Sequence, residues 1–134
     1  MNDSTFLTRV KTVGIFGASG AIGNAYLTFF SNLDSVETIH AFSRTEINVS
    51  SHKIITHHID YSKESSIINS KKELPNDTLF DLLLVTSGSL HHQDFMPEKS
   101  IKQFTADSAH YFYLINTIGP GLIMKHFHTL LKRD

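Results

Sequence analysis

The sequence predicts an α/β fold with a mostly parallel sheet, and two observations carry that prediction. Strand-like apolar runs alternate with helix-like segments along the chain, the order in which crossover helices join parallel strands. The first run, residues 10–16, also leads directly into a glycine-rich turn and then an amphipathic stretch. At 134 residues the chain suits one domain, residues 1–134. Its 40% hydrophobic content is enough for a packed core.

Residues 10–16 form a first strand. Residues 21–32 follow as a helix, with Ile22, Ala25, Tyr26, Phe29 and Phe30 at i, i+3, i+4, i+7 and i+8 along one face. Residues 36–42 and 54–59 read as the second and third strands. Residues 62–72 read as a helix, capped by Asp60 or Ser62 and ended near Pro75. The near-continuous apolar run 79–85 has the length and character of a strand buried on both faces. A polar loop covers 87–97. Residues 107–132 are helix-like but contain Gly119-Pro120-Gly121. A proline inside a helix removes a hydrogen bond and clashes, at a cost of ~3 kcal/mol, so the pattern alone predicts a break there.

Composition excludes several classes. A net charge of −1 and a pI near 6.7 lack the basic excess of a nucleic-acid protein. The absence of cysteine removes disulfides, thiolate metal sites and cysteine nucleophiles. No apolar run reaches the ~18–20 residues of a membrane span, and residues 1–9 lack signal-peptide architecture. A cytoplasmic, membrane-free protein is expected.

The glycine turn reads Gly17-Ala18-Ser19-Gly20-Ala21-Ile22-Gly23 between strand and helix. A helix N-terminus offers free N–H groups and the positive end of its dipole to phosphate. Gly17 allows the tight turn, Gly20 and Ala21 let the backbone approach a pyrophosphate, and Gly23 brings helix close to strand. The strand–turn–helix context predicts dinucleotide binding, against the plain alternative of a tight turn. About 20 residues further on, an acid would favour NAD. This chain instead has Phe42-Ser43-Arg44-Thr45, with Arg44 21 positions after Gly23 (44 − 23). The guanidinium can pair with a 2′-phosphate and Ser43 can add a hydroxyl, so NADP is the expected cofactor. The plain alternative is a solvated loop arginine.

These pieces together resemble the short-chain dehydrogenase/reductase family. The 17–23 segment looks like its Gly-x-x-x-Gly-x-Gly coenzyme motif, with Ala21 at the middle glycine position. Asp60-Tyr61 follow the third strand where the family places an adenine-contacting aspartate. Leu83-Leu84-Val85-Thr86-Ser87-Gly88 looks like its Asn-Asn-Ala-Gly segment after the fourth strand, with only the glycine kept. Asn116-Thr117-Ile118-Gly119-Pro120 look like the helix asparagine of its Asn-Ser-Tyr-Lys tetrad. The loop through residues 90–100 is similar to that of a branch containing the C-signal-like reductases. The resemblance implies a Rossmann-type doubly wound parallel sheet, truncated after the fourth strand and the next helix, with that helix continuing through Pro120. It implies cofactor-binding roles for Gly17, Ser19, Gly20, Ala21, Ile22, Gly23, Ser43, Arg44, Asp60, Tyr61, Ser87 and Gly88. Asn116 would be catalytic, holding a proton-relay water.

One departure is large. The family's chemistry needs a tyrosine proton donor with a lysine four residues later. Tyr26, Tyr61, Tyr111 and Tyr113 are followed at that distance by Phe30, Ser65, Ile115 and Thr117. The expectation is therefore an N-terminal portion of a longer reductase, inactive alone, acting as a whole on a small carbonyl or alcohol. Two further readings stand beside it: a catalytically inactive NADP-binding or regulatory module, and the coenzyme part of an epimerase-like relative.

The nine histidines suggest no metal site. His57 and His58 are adjacent on a strand and so face opposite ways, and surface or loop placement is expected for the set. No Gly-x-Ser-x-Gly elbow activates a serine. The Tyr111-Phe112-Tyr113 cluster is read as core, in part as a homo-oligomer contact through the 107–131 helix. The apolar run 79–85 would leave an unpaired, association-prone edge.

Overall fold

The computed structural model describes residues 6–92 and 94–133. The segment 1–5, read above for signal architecture, and Gln93 of the polar loop lie outside the described residues. Four strands, β1 (Thr12–Phe16), β2 (Thr38–Ser43), β3 (Ile54–His58) and β4 (Leu82–Val85), form one sheet in the order β3-β2-β1-β4. Every pairing is parallel, with Phe16 opposite both Phe42 and Val85. The main helices among the described residues are α1 (Ala21–Ser31), α2 (Glu64–Lys72), α3 (Ala106–Tyr113) and α4 (Gly119–Phe127). This is the expected Rossmann-type doubly wound architecture. β2 and β4 flank β1 on opposite sides, so the order reverses at β1 and opens a crevice at its C-terminal end.

Each face of the sheet has its own core. Val13, Ile15, Ile39 and Ala41 pack with Leu27 and Phe30 of α1. Phe16 and Phe42 pack on the other face with Ile67 of α2 and Ile123 and Phe127 of α4. The Phe16 and Phe42 rings stack at 4.3 Å, and Phe127 meets Phe16 edge-on at 4.9 Å. Each such pair adds about 0.5–1.5 kcal/mol beyond area burial.

Several expectations are corrected. The apolar stripe of α1 read from the sequence largely faces outward: Ile22, Tyr26 and Phe29 are exposed, while Gly23, Leu27 and Phe30 face the sheet. The fourth strand starts at Leu82, and its side chains are half-buried because it is an edge. Leu79 is exposed. Asp81 ends the run by accepting from the backbone N–H groups of Lys11 and Thr12 and pairing with Lys132 at 2.7 Å. Neither Asp60 nor Ser62 caps α2. Its N-cap is Lys63, and the Asp60 carboxylate instead accepts from Ser62 N–H and Oγ–H.

The long final segment does not break at Gly119-Pro120-Gly121. A turn of π-helix, Leu114–Ile118, joins α3 to α4, and Pro120 sits in the first turn of α4. The wider turn sits where a proline ring would otherwise meet the preceding turn's carbonyls, and so accommodates it. The helical path therefore runs through Pro120, as the resemblance implies. After α4 the chain returns to the sheet at a parallel bridge between Leu131 and Phe80.

Histidine placement also differs from the surface reading. His40 and His57 are buried and hydrogen-bonded to each other, Nδ1 to Nε2, at 2.9 Å. His58 is exposed, on the opposite face of β3 from His57.

Candidate functional site

The crevice lies at the C-terminal ends of β1, β2 and β4. It is lined by Gly17, Ser19, Gly20, Ser43, Arg44, Thr45, Asp60, Tyr61, Thr86, Ser87, Gly88, Ser89, Tyr111 and Ile115. Of the twelve residues expected to bind a cofactor, nine line it directly. The other three, Ala21, Ile22 and Gly23, form the first turn of α1 beside it.

Local geometry explains the glycines. Gly17 has φ +82°, a left-handed conformation that glycine adopts freely. A side chain there would also meet the Ser87 backbone at 2.6 Å. Gly23 packs so tightly on the Gly17 carbonyl that a Cβ would overlap it. Gly20 caps α1 without a side-chain hydrogen bond, so donors of the first turn lack an intrahelical partner. The Gly20 and Ala21 positions are exposed. The turn is thus a cradle that a side chain would fill, with uncapped N–H groups at its lip.

Beside it lies a hydroxyl cluster. Ser43 Oγ donates to Ser19 Oγ at 2.7 Å, Thr45 Oγ1 donates to Ser19 Oγ at 2.9 Å, and Thr45 N–H donates to Ser43 Oγ at 3.1 Å. Arg44 is exposed at the rim. Thr45 was missed in the sequence; its adjacency to Arg44 was the available signal. Donor set and geometry fit a pyrophosphate at the turn and a further phosphate at the hydroxyl cluster.

Asp60 and Tyr61 divide their roles. Burial pushes the Asp60 carboxyl up, but hydrogen bonds from Ser62 and the Lys63 charge outweigh it and hold Asp60 below the usual carboxylate range. Asp60 therefore stays ionised. The Tyr61 hydroxyl accepts from Gly17 N–H and donates to the Phe42 carbonyl at 3.2 Å. It serves the turn itself as well as lining the crevice.

On the far side, Thr86 Oγ1 donates to the Phe16 carbonyl at 2.8 Å. Ser87 Oγ is buried without a protein partner. Asn116 sits in the π-helical turn and grips the next residue of the loop twice. Its Oδ1 accepts from Ser89 N–H at 2.7 Å, and its Nδ2 donates to the Ser89 carbonyl at 2.9 Å. Its side chain is thus engaged with the loop after β4. Tyr111, which the sequence assigned to packing, meets the His92 ring at a tilt, with centroids 4.6 Å apart, and also reaches the crevice wall. Among the described residues no cluster of three metal-ligating side chains occurs, and no helix is long and apolar enough to cross a membrane.

No protein-family model matches the chain, and no curated protein matches it significantly. Solved structures do. One is a short chain dehydrogenase family protein from Francisella tularensis subsp. tularensis, with TM-score 0.77 and 19% identity over 92% of this chain and 47% of that one. A second is the NADPH-bound carbonyl reductase from chicken fatty liver, with TM-score 0.73 and 19% identity over 91% and 48%. A third is a short chain dehydrogenase from Burkholderia cenocepacia in complex with NADP, with TM-score 0.71 and 13% identity over 92% and 49%. These likenesses show the fold, a Rossmann-type sheet arranged as in short-chain dehydrogenase/reductase structures. The chain spans about half the length of these solved structures.

Proposed function

We propose that this chain is the coenzyme-binding part of an NADP-dependent short-chain oxidoreductase acting on a small carbonyl or alcohol. The observation that carries the reading is the joining of an uncapped glycine turn to the Ser19–Ser43–Thr45 hydroxyl cluster, with Arg44 at its rim. The turn from Gly17 to Gly23 takes the pyrophosphate. Ser19, Ser43, Thr45 and Arg44 take the 2′-phosphate, and ionised Asp60 faces the adenine side. Ser87 and Gly88 flank the nicotinamide side, and Asn116 fixes their loop through Ser89. When bound, NADPH supplies the hydride for carbonyl reduction. NADP-bound proteins among the similar structures support the choice of coenzyme.

The proton donor is not supplied by a Tyr-x-x-x-Lys pair in this sequence. That absence favours a second reading, an NADP-binding module without turnover. One experiment separates them. The purified 134-residue chain is titrated with NADPH and then assayed with a panel of small aldehydes and ketones. Binding without NADPH oxidation is the expected result. Steady oxidation would show that another group donates the proton, and absence of binding would sink both readings.

A homo-oligomer contact through residues 107–131 belongs to the same proposal. Exposed Tyr113, Ile118 and Met124 on that segment support it. The proposed location is the cytoplasm.

A further inference from the structure

We infer that Tyr61 is a positioning residue for the coenzyme turn: its hydroxyl fixes Gly17, and Gly17 in turn fixes the start of α1. The inference rests on the NADP-binding reading and gives Tyr61, already at the crevice wall, a role exerted through the turn.

The geometry runs in one connected path. Gly17 N–H donates both to the Tyr61 hydroxyl and to the Phe42 carbonyl, the latter at 3.0 Å. The Tyr61 hydroxyl closes the triangle by donating to that same carbonyl. On its other side, the Gly17 carbonyl accepts from Gly20 N–H at 3.0 Å and is the atom against which Gly23 packs. The orientation of one peptide therefore sets both the N-cap of α1 and the seat of its first turn. The donors at that turn are the ones assigned to the pyrophosphate. A positive φ at Gly17 makes this peptide the least self-restrained point of the turn, so an external clamp has most effect there.

Tyr61 is itself well anchored. Its Cβ and carbonyl pack against Gly119 of α4, where an added Cβ would come within 3.2 Å of each. The preceding residue is held by Asp60 N–H donating to Ser66 Oγ at 2.9 Å and by Ser62 donating to its carboxylate. Burial pushes the phenol up, the Gly17 hydrogen bond and the Arg44 charge opposing. The hydroxyl keeps its proton and remains a donor. A phenylalanine would fill the same space and leave the turn without this clamp.

The test compares two ligands on the full 134-residue chain. NADPH engages the turn through its pyrophosphate. Adenosine 2′-monophosphate carries the 2′-phosphate and adenine but no pyrophosphate. For Tyr61→Phe the expected result is a loss of about three- to tenfold in NADPH affinity, the scale of one hydrogen bond. Adenosine 2′-monophosphate should change by less than about twofold. The Gly17 amide, followed by hydrogen exchange, should exchange faster in the variant. Equal weakening of both ligands, or none of either, overturns the inference, as does an unchanged Gly17 amide. If the unaltered chain binds neither ligand, the NADP reading itself fails. If it binds both and the variant is unchanged, only the role of Tyr61 fails.

Discussion

Ser43 Oγ, at the end of β2, donates to Ser19 Oγ in the glycine turn across 2.7 Å. The two residues lie 24 positions apart, and parallel pairing of β1 with β2 brings them together. Their contact makes one polar surface from two motifs that the sequence presents separately. Four expectations follow from this surface and from the packing beneath it.

Among the described residues, Arg44 is the one cation lining the crevice, at the lip of that surface. A charge-assisted hydrogen bond contributes about 1.5–3 kcal/mol. Arg44→Gln should weaken NADPH binding by roughly ten- to a hundredfold and leave NADH binding within about twofold. Calorimetric titration with both coenzymes checks this.

Gly23 allows no side chain, because a Cβ would overlap the Gly17 carbonyl and crowd Ala18 Cα at 2.8 Å. Both neighbours are backbone and cannot turn away. Gly23→Ala should destabilise the chain by about 1–3 kcal/mol, as overpacking does, and should also depress coenzyme binding. Gly121→Ala, at a position with open space around it, is the control. A thermal melt in which both variants behave alike would count against the packing argument.

Asn116 holds the loop after β4 by two hydrogen bonds to Ser89. The pair is exposed, so removing it should cost only about 1 kcal/mol of stability. The local effect should be larger than the global one. Asn116→Ala should speed hydrogen exchange at Ser89 and proteolysis near Gly88 while the melting temperature moves little. Unchanged exchange at Ser89 would remove Asn116 from its assigned role.

The buried His40–His57 pair predicts an acid-sensitive core. Burial first, and the His57 charge second, push His40 down to about 4. Burial also pushes His57 down, with Glu73 opposing. In the unfolded chain an imidazole titrates near ~6.5, so between about 6.5 and 4 the unfolded state binds more protons than the folded one. Stability is therefore fully present above about pH 6.5 and declines as the pH falls toward 4. Melting curves from pH 8 to 4 check the sign. His40→Gln should show a shallower decline.

Legibility in the sequence followed locality. The strand, glycine turn and helix from β1 to α1 are contiguous, so sterics and composition sufficed to find them. Ser43 and Arg44 were found by their distance from the turn. The inward face of α1 was not legible, because Gly23, Leu27 and Phe30 and the set Ile22, Tyr26 and Phe29 are both apolar stripes of helical period. Only the close approach that Gly23 permits decides between them. The π-helical turn before Pro120 was invisible to propensity, which prices proline against a regular helix. The His40–His57 pair depends on the register of β2 against β3, and the Tyr61–Gly17 contact spans 44 residues. Neither has a local signature.

The most direct test of the account is the relative affinity of the unaltered chain for NADPH and NADH, measured by calorimetry under one buffer and salt. The account predicts saturable one-to-one binding with NADPH favoured by at least about tenfold, the share of one charge-assisted contact to the 2′-phosphate. Equal affinity, preference for NADH, or no binding of either coenzyme would contradict it.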